Sequence, residues 1–144
     1  ACWVQPDGRV LIVGGASLEP EHKGCQDTIE LFDPATGTSE VKAQMRVGRM
    51  AHRLVPYRDQ GVIISGGWVE KPFERGKVLE YYDFARARSY AIGTLPTARA
   101  EHQMLWLNDR EILIAGGKDL FEGSPEALPP FLQCEIVRLK VPRP

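Results

Sequence analysis

Three Gly-Gly pairs, at Gly14-Gly15, Gly66-Gly67 and Gly116-Gly117, recur 52 and 50 residues apart. That spacing constrains the fold of this 144-residue chain more than any other feature. The residues ahead of each pair match as well. Asp7-Gly8-Arg9-Val10-Leu11-Ile12-Val13 aligns with Asp59-Gln60-Gly61-Val62-Ile63-Ile64-Ser65 and with Asp109-Arg110-Glu111-Ile112-Leu113-Ile114-Ala115. In every copy the Asp stands seven positions before the first Gly. A lone Gly-Gly carries no information, but a nine-residue pattern repeated three times in one frame defines an internal repeat. Other marks keep the register. Glu30-Leu31-Phe32-Asp33 aligns with Glu80-Tyr81-Tyr82-Asp83 and, more loosely, with Glu135-Ile136-Val137-Arg138. Arg49-Met50-Ala51-His52 aligns with Arg99-Ala100-Glu101-His102. The His-to-Asp distance is seven in both complete copies, which in the first copy puts the His one position before Ala1. The sequence is therefore expected to start just inside a repeat.

Each repeat reads as four short strands. An apolar strand (Arg53–Pro56; Met104–Leu107) ends at an Asp-containing turn. A nearly all-aliphatic strand follows, the pattern of a strand covered on both faces. It stops at Gly-Gly, where missing Cβ atoms admit positive φ and close backbone approach. A variable loop leads to a third strand carrying Phe32 or Tyr81-Tyr82. The turn Asp33-Pro34-Ala35-Thr36-Gly37 then opens a fourth, near Thr38–Lys42 and Ser89–Ile92. No segment sustains an apolar period of 3.6 residues, so an all-β chain with essentially no helix is expected.

A period near 50 residues with four strands per unit points to a β-propeller, whose blades stack face to face around an axis. The segments Pro6–Gly15 and Glu30–Thr38, with the linker Met45–His52, resemble kelch repeats, specifically the bacterial galactose-oxidase-like kind. The resemblance covers nearly the whole chain. It departs from that pattern on the fourth strand, where Ser39 and Ser89 stand in place of the usual Trp. The expected fold is a partial kelch-type propeller of about three four-stranded antiparallel blades, near residues 1–44, 45–94 and 95–144. The third lacks a fourth strand, which makes eleven strands in all. Three blades form an open wedge with an apolar sheet face bare at each end. The missing blades are expected from a longer protein, from self-association or from another chain, and an isolated monomer is not expected to be stable.

Composition excludes several partners. Lys+Arg is 18 and Asp+Glu is 19, a net charge of −1 with no basic block, so neither nucleic acid nor an anionic membrane surface is favoured as a partner. The longest aliphatic run, Val10–Val13, is too short to span a bilayer. Cys2, Cys25 and Cys134 lack metal-ligand spacing, and their odd number excludes a fully paired set while leaving room for one disulfide. Cys2 and Cys134 read as small buried hydrophobes and Cys25 as a loop thiol. The family resemblance leans toward a secreted or periplasmic location.

Candidate site residues fall in two groups. Arg49, His52, Arg99 and His102 recur in the repeat frame beside Glu101, and either line a ligand site near the axis or tie the linkers to neighbouring carbonyls. Recurrence favours the second role, because features present in every blade build blades. The loops after Gly-Gly (Ala16–Asp27, Trp68–Lys77, Lys118–Gln133) share neither length nor composition. Trp68 and Phe121 are as consistent with recognition of protein or carbohydrate as with packing on the blade rims. In a four-stranded meander these loops share one face with the linkers, and a ligand site of Arg49, His52, Trp68, Arg99, Glu101, His102 and Phe121 is expected there. The opposite face, with its Asp turns, is expected to be chemically plain. Arg99→Ala or Trp68→Ala would then weaken ligand with little loss of stability, if those side chains face solvent.

The expected function is a non-catalytic protein- or glycan-binding scaffold needing no cofactor or metal. The alternative is a piece of a galactose-oxidase-like or sugar-acting enzyme with its other site residues on absent blades. The resemblance would imply copper held by His and Tyr with a Tyr-linked Cys. Only three His (His22, His52, His102) are present, and no such set is identifiable from spacing.

Overall fold

The computed structural model describes residues 1–70, 72, 76–119 and 134–139. The chain is all-β, and its strands fall into three antiparallel blades. Blade 1 is β1 (Cys2–Val4), β2 (Val10–Ser17), β3 (Gly24–Asp33) and β4 (Thr38–Gln44), hydrogen-bonded in that order. Blade 2 is β5 (Arg53–Tyr57), β6 (Gly61–Ser65), β7 (Val78–Asp83) and β8 (Arg88–Thr94), again in sequence order. A two-residue strand, β9 (Arg99–Ala100), precedes the third sheet. That sheet holds β10 (Gln103–Asn108), β11 (Glu111–Ala115) and β13 (Cys134–Arg138), and β12 (Lys118–Asp119) pairs back onto β9. The eleven expected strands are the blade strands, and the β9–β12 ribbon adds two. The described helical structure is 3-10 only, a turn at Pro20–His22 and the residues Gly76 and Lys77. No described helix is long and apolar enough to cross a membrane.

Register places equivalent residues in equivalent positions. Leu11 pairs with Trp3 and Leu31, Ile63 with Val55 and Tyr81, and Leu113 with Leu105 and Ile136. The blades join through two apolar seams. Leu11, Val13 and Ile29 of blade 1, with Met45 of the linker, pack on Val62, Ile64 and Tyr82 of blade 2. The opposite face of blade 2, with Val55, Ile63, Leu79 and Tyr81, packs on Met104, Ile112 and Ile114.

Three expectations need correction. Covering on both faces holds for the second strand of the middle blade alone. Every residue of β6 is buried, whereas β2 and β11 bury only alternate residues because each lies in a blade with one bare face. Val4 and Val41 on blade 1, at 62% and 58% exposure, and Leu105 and Ile136 on blade 3, at 58% and 63%, mark those bare faces. Cys2 and Cys134 lie on the same two faces and are exposed, not buried; Cys25 is half-buried, and all three thiols are free. Finally, much of Ala16–Asp27 is strand. A bulge between Val13 and Gly15 lets the β2–β3 ladder continue through Ala16↔Cys25 to Ser17↔Gly24.

Candidate functional site

The recurring Arg, Glu, Gly and His residues form one structural unit at each linker. Arg49 is fully buried, and its guanidinium donates to the carbonyls of Gly66 (2.8 Å) and Val78 (3.1 Å) and to Glu80 Oε1 (2.9 Å). Glu80 also accepts the Arg46 amide and the Ser89 hydroxyl, both at 2.8 Å, so both carboxylate oxygens are bonded. Ser89 is thus part of this carboxylate's shell. Arg99 repeats the arrangement in blade 3, donating to the Gly116 carbonyl with Nη2 2.8 Å from Glu135 Oε1. Pro96 takes the place of Arg46 there and has no N–H to offer, and Glu135 Oε2 is buried without a hydrogen-bond partner among the described residues.

The Gly-Gly pairs are required because the linkers press on them from both sides. A Cβ on Gly66 (φ +62°) would collide with the Arg99 carbonyl and the His102 ring. One on Gly67 (φ +96°) would stand 2.7 Å from the Met50 carbonyl and 2.8 Å from His52 Cβ. The first Gly therefore meets the linker leaving its blade, and the second meets the linker arriving.

His52 and His102 are buried beside these glycines. The His102 Nε2 lies 2.7 Å from the Ser65 hydroxyl, which also contacts the Met104 sulfur. Neither ring nitrogen of His52 has a well-aligned hydrogen-bond partner among the described residues. Burial pushes His52 down to about 3, aided by the Ala1 amine and Arg49, with the Val13 backbone pulling weakly the other way. Burial, then Arg99 and Arg53, lowers His102 to about 4. Both rings are neutral near pH 7.

Arg49, His52, Arg99 and His102 are thus withdrawn from the surface, and Arg99 does not face solvent as a ligand contact requires. Trp68 is half-buried, bridged to Met50 through both backbone groups, and packed beside Ala51, Ala98 and Ala100. Glu101 remains exposed, in left-handed backbone at φ 58°, and pairs with Lys118 at 3.0 Å. Phe121 and most of its loop lie outside the described residues. The linkers and the first two variable loops do share one face: the Cys25 thiol donates to the Trp68 carbonyl, and the Glu70 carboxylate closes over Gly24.

The described clefts open on the other face. One, of about 470 Å³, lies where blades 1 and 2 diverge. Trp3 stacks on Phe84 there with centroids 5.7 Å apart and planes 13° apart. Asp7, Arg9, Lys42 and Asp59 stand around that pair. Arg9 is held by Asp7 through Nε at 2.8 Å and Nη2 at 2.7 Å. A second cleft, between the turns of blades 2 and 3, is lined by Tyr57, Arg58, Trp106 and Asp109, and Trp106 donates from its indole to the Pro56 carbonyl. The expectation of a plain turn face is therefore wrong. Short turns let adjacent blades splay apart, and the groove exposes aromatic side chains from the seam. The register did not show this, because Trp3, Phe84 and Trp106 are not repeat-wide positions.

Among the described residues no three His, Cys, Asp or Glu side chains gather as metal ligands. His52 and His102 are packed separately under successive linkers, and the described residues do not supply the copper set that galactose-oxidase relatives would imply.

No family model matches the sequence, and no curated protein matches it. Among solved structures the chain is similar to one described as the structure of YjhT, with a TM-score of 0.63 and 13% sequence identity. The match covers 78% of this chain and 42% of that one, so this chain spans less than half of that protein's length. At this identity the likeness shows the fold alone.

Proposed function

We propose that this chain is a segment of a kelch-type propeller acting as a non-catalytic binding scaffold, with a carbohydrate held in the groove between blades 1 and 2. The observation that carries this reading is the stacked Trp3–Phe84 pair in a cleft of about 470 Å³, edged by Asp7, Arg9, Lys42 and Asp59. Aromatic faces take the C–H faces of sugar rings, while carboxylates and a fixed guanidinium bond hydroxyls at the rim. The repeat-wide polar residues serve the fold instead, which leaves recognition to groups that differ between blades. The two bare end faces support completion of the propeller by further blades.

Calorimetric titration with a panel of neutral and acidic oligosaccharides tests the reading. Asp59 is exposed at a turn, so Asp59→Asn is expected to weaken the ligand while leaving thermal stability unchanged. Trp3→Ala is expected to abolish binding. Failure of every oligosaccharide to bind, or binding indifferent to both changes, would overturn it.

A further inference from the structure

The bare face of blade 1 repeats, position for position, the face through which blade 2 receives blade 1. Val4, Val10, Ile12, Phe32 and Val41 occupy the places of Pro56, Val62, Ile64, Tyr82 and Ala91. Glu30 occupies the place of Glu80. In blade 2 that carboxylate takes the linker guanidinium, a linker amide and the Ser89 hydroxyl. In blade 1 Glu30 accepts the hydroxyls of Ser39 (2.9 Å) and Thr28 (3.1 Å), and it makes no ion pair among the described residues. The third mark is Gly15. A Cβ on Gly67 or Gly117 would run into the arriving linker, yet a Cβ on Gly15 (φ +128°) would meet nothing within 4 Å among the described residues.

We infer that this face is a docking surface for one kind of partner: a further four-stranded blade of the same repeat, ending in an Arg-x-x-His linker. Its linker backbone would run over Gly15, and its Arg would reach Glu30 as Arg49 reaches Glu80. Its apolar face would cover Val4, Val10, Ile12, Phe32 and Val41. Continuity with the two seams inside the chain and the unmatched charge on Glu30 select this occupant. A flat apolar partner would leave Glu30 buried without a cation, which disfavours a chance hydrophobic contact. This inference rests on the propeller reading but not on the sugar groove, which opens on the other side of blade 1.

The test is an extended chain in which residues 53–102 are duplicated and joined directly ahead of Ala1. The copied His102 then falls at the position the repeat assigns, and the copied Arg99 three residues before it. Two readouts are independent. Cys2 lies on the docking face, whereas Cys134 lies on the far face of blade 3 and serves as reference within the same molecule. Alkylation of Cys2 is expected to slow by roughly ten-fold or more against Cys134 in the extended chain, and to match it in the 144-residue chain. Glu30→Gln is expected to lower the melting temperature of the extended chain by roughly 5 °C, leaving the shorter chain unchanged. Replacing the copied Arg99 by Leu should have the same effect, and the two changes together no more than either alone. Cys2 reacting as fast as Cys134 in the extended chain, folded or not, overturns the inference. So does Glu30→Gln acting equally in both chains. Protection of Cys2 that rises with concentration of the shorter chain would assign the face to a second copy and also overturn it. Sugar binding at the Trp3 groove, measured on the same proteins, reports separately on the proposed function.

Discussion

Ser65 Oγ lies 2.7 Å from His102 Nε2 across the seam between blades 2 and 3, and Val13 occupies the equivalent place opposite His52. One hydroxyl thus separates a buried imidazole with a well-placed side-chain partner from one without. Ser65→Ala is expected to cost about 1–2 kcal/mol, since it strands a polar nitrogen in the core. Urea unfolding at pH 7.5 measures it, and a change within about 0.3 kcal/mol would show that the bond contributes nothing net.

Acid should act through these two rings. Both histidines have folded values below the ordinary 6.5, at about 3 for His52 and about 4 for His102, so below pH 6.5 the unfolded chain binds more protons. Their contribution is complete above pH 6.5 and is lost as pH falls toward 4. The slope approaches about 1.4 kcal/mol per pH unit for each ring. Urea midpoints between pH 7.5 and 4.5 should fall accordingly, and His52→Gln should remove roughly half the slope. A flat profile would mean the rings are solvated.

Arg49→Met should be among the most damaging single changes. It leaves Glu80 buried without its cation, at a cost of about 3–5 kcal/mol. Arg9→Met, which breaks the exposed pair with Asp7, should cost less than about 1 kcal/mol. Comparable losses in the two variants, measured by thermal unfolding, would contradict the roles assigned here.

Glycine substitutions separate strain from collision. Gly37 (φ +69°) and Gly66 (φ +62°) share left-handed backbone, but only Gly66 has neighbours where a Cβ would go. Gly37→Ala should cost about 1–2 kcal/mol from backbone strain alone. Gly66→Ala should cost several kcal/mol more or prevent folding, because the Arg99 carbonyl and the His102 ring cannot both retreat. Equal effects on the urea midpoint would show that linker contact is unimportant.

The repeat made the blades legible, since Gly-Gly, the Glu-aromatic strand and the Arg-x-x-His linker mark equivalent points in every copy. It did not show what those residues bond. Arg49 and Glu80 are 31 residues apart, and only the folded seam brings them together. A sequence period describes what the blades share, whereas the groove at Trp3 and Phe84 is built from what they do not share. The same limit explains Cys2 and Cys134: their counterparts in the middle blade are Leu54, which packs against the core, and Leu79, which is buried in it, and the bare ends of the wedge leave the two thiols exposed. Trp68 looked like a loop aromatic because the Met50–Trp68 bridge joins segments whose pairing no local pattern encodes.

Complete burial of β6 between half-covered neighbours sets a gradient of local opening along the molecule. Amide exchange with deuterium should be slowest at Val62, Ile63 and Ile64 and faster at matching positions of β2 and β11. Unravelling then begins at the two flanks and reaches the centre last. A protease would trim this wedge from its ends, and blade 2 would be the last element to keep its hydrogen bonds.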